Sequence, residues 1–313
     1  MLATRIAALI AAVAVFAGCS SHQAGNPPAT PKTPQARLDG LYHLVSGKTV
    51  LASEIFQQGQ PPLDQQWAFR SACSDVCTAT ATMVSTTGDE QVRVFDYVDG
   101  RWTRTVEQPK QASCDLNGQH FDTTMWVRWS VQPQPDGTLT GTIANVGTDA
   151  CQYVQEFSVT LTRVGDAPAN ANLPDPAAQP KPRSSVAQGL RGRYLQTATV
   201  RGQEYDTATQ YWQVTTVCVR SGDSCATYLV GPPAPDNGPP QFASYTFANG
   251  KWTQSGVSVS QDCGTGVRNI IFTLPAAPVP NPIAAIVGEG QIDYTGNCPA
   301  HTVEDYQLQH TGD

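Results

Sequence analysis

Hydrophobic and polar residues alternate with a period of two along short stretches of this chain. In one such stretch the side chains of one face are Met125, Val127, Trp129 and Val131, and those of the other are Trp126, Arg128 and Ser130. This period places successive side chains on opposite faces of a β-strand. No convincing stretch shows the 3.6-residue period of an amphipathic helix, so the chain is predicted to be all-β.

One sequence module occurs twice. Apart from Cys19, the nine cysteines form two similarly spaced sets, which are Cys73, Cys77, Cys114 and Cys151, then Cys218, Cys225, Cys263 and Cys298. Other matching positions are Trp67 with Trp212, and Asp99-Gly100-Arg101-Trp102 with Asn249-Gly250-Lys251-Trp252. We predict two domains of ordinary size, repeat 1 at residues 38–166 and repeat 2 at residues 190–313.

Tight-turn dipeptides separate the alternating stretches, namely Asp99-Gly100, Asp136-Gly137 and Asn249-Gly250. A two-residue hairpin turn needs positive φ at both central residues, which these residue types tolerate. Short strands joined by such turns predict an antiparallel meander of roughly eight strands in each repeat. Pairing the first strand with the last would close a barrel and remove both exposed edges, so we favour an up-and-down barrel over a sandwich.

The segment between the repeats, residues 167–189, carries five prolines among alanines and polar residues. It has no periodic apolar pattern, and such a composition is typical of a semi-rigid linker. We therefore expect the two domains to be loosely oriented relative to each other.

The first 18 residues have the features of an export signal. Their apolar run, from Ile6 to Ala17, is shorter than the roughly 20 residues that span a membrane. Phe16-Ala17-Gly18-Cys19 resembles the bacterial lipobox, which implies cleavage before Cys19 and a lipid on its sulfur. Residues 19–37 would then tether an extracytoplasmic protein to the cell membrane.

Four cysteines in each repeat of an exported protein favour two disulfides, and each set allows three pairings. The residues between Cys73 and Cys77, and between Cys218 and Cys225, favour turns, which would bring each pair together across a hairpin. We therefore predict the disulfides Cys73–Cys77, Cys114–Cys151, Cys218–Cys225 and Cys263–Cys298. Zinc is disfavoured because the spacing is not Cys-x-x-Cys and the histidines do not repeat with the cysteines, so no metal or other cofactor is predicted.

Two blocks of repeat 1 resemble a known module. They are Trp67-Ala68-Phe69-Arg70-Ser71-Ala72-Cys73 and Pro135-Asp136-Gly137-Thr138-Leu139-Thr140-Gly141-Thr142. The module occurs in extracytoplasmic regions of mycobacterial serine/threonine protein kinases and in secreted or lipid-anchored actinobacterial proteins. The resemblance implies sensing or scaffolding at the cell envelope. Repeat 2 departs from it, with a proline cluster, Pro275 to Pro282, where the tryptophan-rich strand is expected.

One group of side chains in repeat 1 is a candidate binding site. Its members are Trp67, Phe69, Arg70, Trp126 and Trp129. An arginine among tryptophans suits an anionic or sugar-bearing ligand, through stacking and paired hydrogen bonds. The alternative is a β-domain core rich in aromatic residues, with Arg70 covering one end.

The formal net charge of −7 argues against a nucleic-acid partner. No set of paired carboxylates or of serine and histidine indicates catalysis. The sequence predicts a non-enzymatic, lipid-anchored envelope protein that senses, binds or scaffolds an envelope component or a partner protein. A carrier of an apolar lipid or glycolipid inside a barrel is the alternative, and a cell-wall hydrolase is a third reading.

Overall fold

All regular structure in the described part of the chain is β-strand, apart from two short 3-10 helices, which confirms the all-β prediction. The computed structural model describes residues 37–52, 62–84, 91–116, 119–202, 207–233, 240–260, 264–294 and 300–313. Cys19 and the predicted Cys263–Cys298 disulfide lie outside these residues.

Repeat 1 forms a closed antiparallel barrel, barrel 1, in which each strand pairs with the next and β8 returns to β1. Its strands are β1 (Gly40–Ala52), β2 (Asp64–Cys73), β3 (Cys77–Met83), β4 (Arg93–Val98), β5 (Arg101–Leu116), β6 (Gln119–Pro133), β7 (Leu139–Gly147) and β8 (Tyr153–Gly165). The pairing of the first strand with the last leaves no open sheet edge, as the sequence predicts.

Repeat 2 forms barrel 2 with the same topology, closed between β16 and β9. Its strands are β9 (Gly192–Val200), β10 (Thr207–Cys218), β11 (Cys225–Pro233), β12 (Pro240–Ala248), β13 (Lys251–Ser260), β14 (Gly264–Thr273), β15 (Ala285–Tyr294) and β16 (Ala300–Gly312). The Pro275 to Pro282 cluster follows β14, the counterpart of β6, and so lies in a connection between strands. The sequence predicts this cluster at the counterpart of the tryptophan-rich strand, and that prediction is wrong.

Two of the three predicted hairpin turns have the expected backbone. Asp99 and Gly100 have φ values of 50° and 79°, and Asn249 and Gly250 have 51° and 76°. Asp136-Gly137 differs, since only Gly137 has positive φ, at 84°. There the Asp136 carboxylate accepts hydrogen bonds from the backbone and hydroxyl of Thr138, which stabilises a longer turn between β6 and β7.

The two barrels pack against each other, contrary to the loose orientation expected from the linker composition. Side chains on the outer faces of both barrels form one buried apolar cluster, comprising Trp126, Val146 and Val154 of barrel 1 with Val217, Ala226 and Tyr228 of barrel 2. Beside it, the Ser244 hydroxyl donates to the Gly147 carbonyl at 2.8 Å. Because these strands face a second barrel, they bury some apolar side chains on their outer faces as well.

The linker is bound to the surface of barrel 1. The Thr80 hydroxyl donates to the Pro174 carbonyl at 2.8 Å, and Pro176 is buried in the 3-10 helix Pro176–Ala178. This linker contact accounts for the burial of Thr80, although its side chain is on the outer face of β3. Proline fixes the linker backbone, and these contacts fix its position.

An ion pair joins barrel 1 to the β10–β11 turn of barrel 2. Arg220 donates from Nε and Nη2 to the two carboxylate oxygens of Asp96, at 2.7 and 2.9 Å, and Thr78 donates to the same carboxylate. The Asp96 side chain is 10% exposed and that of Arg220 is 21% exposed. This two-point contact between largely buried groups restricts the orientation of the two barrels.

Three disulfides lie in the described residues, Cys73–Cys77, Cys114–Cys151 and Cys218–Cys225, and these are pairs expected from the sequence. Cys73 pairs with Cys77 and Cys218 with Cys225 across hairpins, with Cα atoms 4.0 and 3.9 Å apart. The Cys114–Cys151 bond links β5 to the segment before β8.

Candidate functional site

The predicted aromatic group is divided between two places in the structure. Trp67, Phe69 and Trp129 point into barrel 1 and are at most 4% exposed. The rings of Trp67 and Trp129 meet edge to face with centroids 5.3 Å apart. This edge-to-face geometry is typical of packed aromatic side chains. The two rings form the floor of a cavity inside barrel 1.

Trp126 and Arg70 do not join this group. Trp126 is on the outer face of β6, within the contact between the barrels. Arg70 is exposed on the outer face of β2, because side chains alternate and its neighbour Phe69 points inward. The five residues therefore do not line a single pocket.

Barrel 1 contains a cavity of about 720 Å³, within the range of roughly 300–1,000 Å³ typical of small-molecule sites. Its apolar lining includes Trp67, Met125, Val127, Trp129 and Phe157. The cavity extends from the Trp129 level toward the end of the barrel where β4 begins, β7 ends and β8 begins. A barrel of eight strands has room inside for one small ligand, and the cavity of barrel 1 is large enough for one.

Two arginines point into the interior of barrel 1, and sequence reasoning missed both. Arg93 precedes the inward-facing Phe95 by two residues, and its guanidinium carbon lies 4.9 Å from the centroid of the Trp67 ring. Arg104 follows the inward-facing Trp102 by two residues and pairs with Trp129 in the β5–β6 register. The same period-two pattern that identified the strands assigns both arginines to the inner face.

Neither arginine has an acidic partner among the described residues. Arg93 Nε and Arg104 Nη1 are buried and have no hydrogen-bond partner there. Burial lowers the pKa of Arg93, and burial together with the charge of Arg93 lowers the pKa of Arg104 to about 10. Arginine side chains are cationic at neutral pH, so both guanidinium groups carry their charge in a barrel interior that disfavours it.

The other polar groups of the cavity are neutral. Gln65, Asn145 and Gln155 contribute amides to the lining, and Gln65 accepts a hydrogen bond from Trp67 Nε1 at 3.1 Å. Among the described lining residues none is acidic, so Arg93 sets the sign of the local charge. Burial raises the pKa of Tyr153 to about 12, so its hydroxyl is protonated at neutral pH.

Barrel 2 also has an interior arginine, but this one is paired. Arg268 donates a hydrogen bond to the Tyr306 hydroxyl, and its Nη2 lies 3.8 Å from Glu304 Oε2. Burial alone lowers the pKa of Arg268, but Tyr306, Tyr245 and Glu304 together raise it above its ordinary value. The barrel 2 interior therefore balances its own charge.

Aromatic rings and the side chain of Ile283 occupy part of the interior of barrel 2. A Cβ added at Gly288 or Gly290 would lie 2.5 Å from the ring of Phe272 or Tyr306, so these rings rest directly on the β15 backbone. Ile283, which follows the proline cluster, is fully buried in the core, and its carbonyl accepts a hydrogen bond from Tyr194 at 2.6 Å.

A second concave region, of about 750 Å³, lies on the outer face of barrel 2. Arg201 dominates it and pairs there with Glu289 and Asp305, at 2.6 and 2.5 Å. Hydrogen bonds from Arg201 lower the pKa of both carboxylates. Because its one cation, Arg201, is already paired with two carboxylates, this groove has less to offer an anionic ligand than the barrel 1 cavity.

Three histidines form ion-pair contacts with aspartates on exposed strand surfaces. The contacts are His43–Asp64 at 2.7 Å, His120–Asp115 at 3.0 Å and His301–Asp293 at 2.6 Å. They are separate from one another and from the cavity. Within the described ranges, no group of three metal-binding side chains is present, and no helix has the length and apolar character needed to cross a membrane.

Comparison with known proteins relates repeat 1 to kinase sensor domains. Residues 34–178 match the family model of the PknI serine/threonine-protein kinase sensor domain. Repeat 1 thus matches the cysteine-containing β module of mycobacterial kinase extracytoplasmic regions, as the sequence resemblance predicts. The match does not include repeat 2.

Solved structures of this sensor domain are also similar to the chain. The monomer form of the M. tuberculosis PknI sensor domain is 23% identical with a TM-score of 0.36, over 47% of this chain and 100% of that one. The dimer form is 24% identical with a TM-score of 0.34, over 42% and 96%. Among curated proteins there is no match.

Proposed function

We propose that this protein is a lipid-anchored, non-enzymatic, extracytoplasmic protein that senses or binds an envelope component through barrel 1. The observation that carries the proposal is the cavity of about 720 Å³ inside a module of the kinase sensor family. The proposal includes no catalysis, since the histidine–aspartate pairs among the described residues lie apart on exposed strands.

The proposed domain organisation follows the sequence. Residues 1–18 form a signal peptide, residues 19–37 a tether that begins with lipidated Cys19, and residues 167–189 a connection between repeats 38–166 and 190–313. A membrane anchor places barrel 1 close to envelope lipids and cell-wall components. Replacing Cys19 with alanine should move the protein from the membrane fraction to the soluble fraction and abolish labelling by radioactive palmitate, whereas unchanged membrane association would contradict lipid anchoring.

Binding is tested by native mass spectrometry of the mature lipidated protein, purified gently from bacterial envelope. We expect the mass of the oxidised, acylated chain plus a small molecule that dissociates on activation. If no small molecule is bound, and no envelope fraction adds one, barrel 1 is not a small-molecule sensor. Capture of a protein partner by cross-linking would then indicate the scaffolding role.

A carrier of lipid or glycolipid is the second candidate, and the apolar side chains that line the cavity inside the barrel favour it. A carrier must release its cargo, so the protein should transfer a labelled lipid between vesicles. The two interior arginines are less suited to a purely apolar cargo, since an unpaired charge is costly next to hydrocarbon.

A further inference from the structure

The two arginines of barrel 1 are unusual because nothing in the described protein neutralises them. Arg93 lines the cavity, and Arg104 lies one inward-facing position deeper, at the level of Trp129. Each has a buried guanidinium nitrogen that lacks a hydrogen-bond partner among the described residues. Buried cations in folded proteins are otherwise paired, because desolvating an unpaired charge is costly.

In barrel 2 the protein itself supplies the partners of the interior arginine. There Glu304 and Tyr306, both on the inner face of β16, contact Arg268. When the pair Leu139–Leu161 is aligned with the pair Ile286–Leu308, Phe157 corresponds to Glu304. Barrel 1 therefore has a phenylalanine at the position that supplies the carboxylate in barrel 2.

We propose that Arg93 and Arg104 bind the anionic group of an amphiphilic ligand inside barrel 1. A carboxylate or phosphate group lies against the two guanidinium groups, and the apolar part of the ligand lies against Met125, Val127 and Phe157. The inference rests on the proposed function of barrel 1 as a binding module and names the chemical class of its ligand.

The geometry fits this class in two respects. Arginine presents several N–H groups in a plane, which suits bidentate hydrogen bonding to the oxygens of a carboxylate or phosphate. The remaining lining is apolar or neutral, so it accommodates a hydrocarbon chain and adds no competing negative charge. The lipids of the membrane to which Cys19 would attach the protein include molecules of this kind.

The test is a set of tryptophan-fluorescence titrations of the mature chain carrying Cys19→Ala, which retains both barrels and needs no detergent. The probes are palmitate, hexadecyl phosphate, hexadecanol and inorganic phosphate, the amphiphiles below their aggregation concentrations. Trp67 and Trp129 line the cavity and report on its occupation. We expect palmitate or hexadecyl phosphate to bind at least tenfold more tightly than hexadecanol, and the tighter of the two identifies the preferred head group.

Arg93→Gln and Arg104→Gln should each weaken binding of the anionic amphiphiles about tenfold to a hundredfold, the range for loss of a charged hydrogen bond. Hexadecanol binding should not change. Arg101→Gln, an exposed position at the start of the same strand as Arg104, is the matched control and should leave all affinities unaltered. Far-ultraviolet circular dichroism of each variant verifies folding.

The outcomes separate this inference from the proposed function. Equal affinity for palmitate and hexadecanol, or unchanged anion binding in Arg104→Gln, would overturn the anionic site and leave a neutral binding cavity. Inorganic phosphate binding as tightly as hexadecyl phosphate would overturn the amphiphilic ligand. If none of the probes binds and native mass spectra show no small molecule, the binding function itself fails.

Discussion

Barrel 1 and barrel 2 have the same strand order, yet their interiors differ in charge and in the side chains that occupy them. Barrel 2 places Arg268 next to Glu304, and rings of Phe272 and Tyr306 rest on glycines of β15. Barrel 1 has a cavity of about 720 Å³ and two arginines without acidic partners in the described residues. The two copies of the module thus differ in whether an interior arginine has a carboxylate beside it.

The difference arises at a few inward-facing positions. When the repeats are aligned at the inner-face residues Phe95 and Tyr245, the counterpart of Arg93 is Ala243. Ala243 packs against the core of barrel 2. Substitution at such positions changes the interior while the strand order stays the same. The comparison teaches that one β-barrel framework tolerates different arrangements of charged and aromatic side chains in its interior.

The largest expected effect concerns the contact that makes the barrels one unit. Trp126→Ala removes a fully buried side chain from the apolar cluster between them and should cost about 3–5 kcal/mol. Calorimetry should then resolve two transitions, which would reveal the separate stabilities of barrels 1 and 2. Tyr211→Ala removes an exposed aromatic residue and should change stability by less than about 0.5 kcal/mol.

The Asp96–Arg220 pair should rank second. Asp96→Ala leaves Arg220 without its carboxylate, and the expected loss of unfolding free energy is about 3 kcal/mol, the lower end for a buried pair since Arg220 is partly exposed. Urea denaturation measures it. Asp75→Ala breaks an exposed pair with Lys181 and should cost at most about 1 kcal/mol. Equal effects of the two substitutions would show that the Asp96 contact contributes nothing special.

Replacing an interior arginine should change the free energy of unfolding in opposite directions in the two barrels. Arg104→Met removes an unpaired buried charge and should stabilise the ligand-free protein by about 1–2 kcal/mol. Arg268→Met leaves Glu304 without its cation and should destabilise it by about 1–2 kcal/mol. Thermal unfolding in ligand-free buffer provides the measurement. Destabilisation by both substitutions would mean that Arg104 has a structural role.

The smallest effect compares two equivalent tryptophans, Trp102 and Trp252, which are both fully buried. Trp252 Nε1 donates to the Thr227 hydroxyl at 3.0 Å, whereas Trp102 Nε1 has no partner among the described residues. Replacement by phenylalanine leaves a similar cavity in each barrel but breaks a hydrogen bond only in barrel 2. We expect Trp252→Phe to cost about 1 kcal/mol more than Trp102→Phe in denaturant titrations.

The inner face of each strand was more predictable than the role of any residue on it. The period-two pattern assigned Trp129 and Trp126 to opposite faces of one strand, and it contained the signal for Arg93 and Arg104 as well. Attention to the Trp-x-Phe-Arg block favoured Arg70 instead. Because adjacent residues of a strand face opposite sides, the arginine next to Phe69 had to point away from it.

The sequence by itself determined the all-β class, the duplication, two of the hairpin turns and the closed barrels, because period, turn chemistry and repeat spacing are local properties of the chain. Only the tertiary structure decided that the barrels pack together, that the linker lies against barrel 1 and that Trp126 belongs to the contact between them. It also decided that barrel 1 has a cavity and that aromatic rings of barrel 2 lie against the β15 backbone. Packing depends on contacts between side chains of strands that are far apart in the sequence, and local sequence patterns do not specify those contacts.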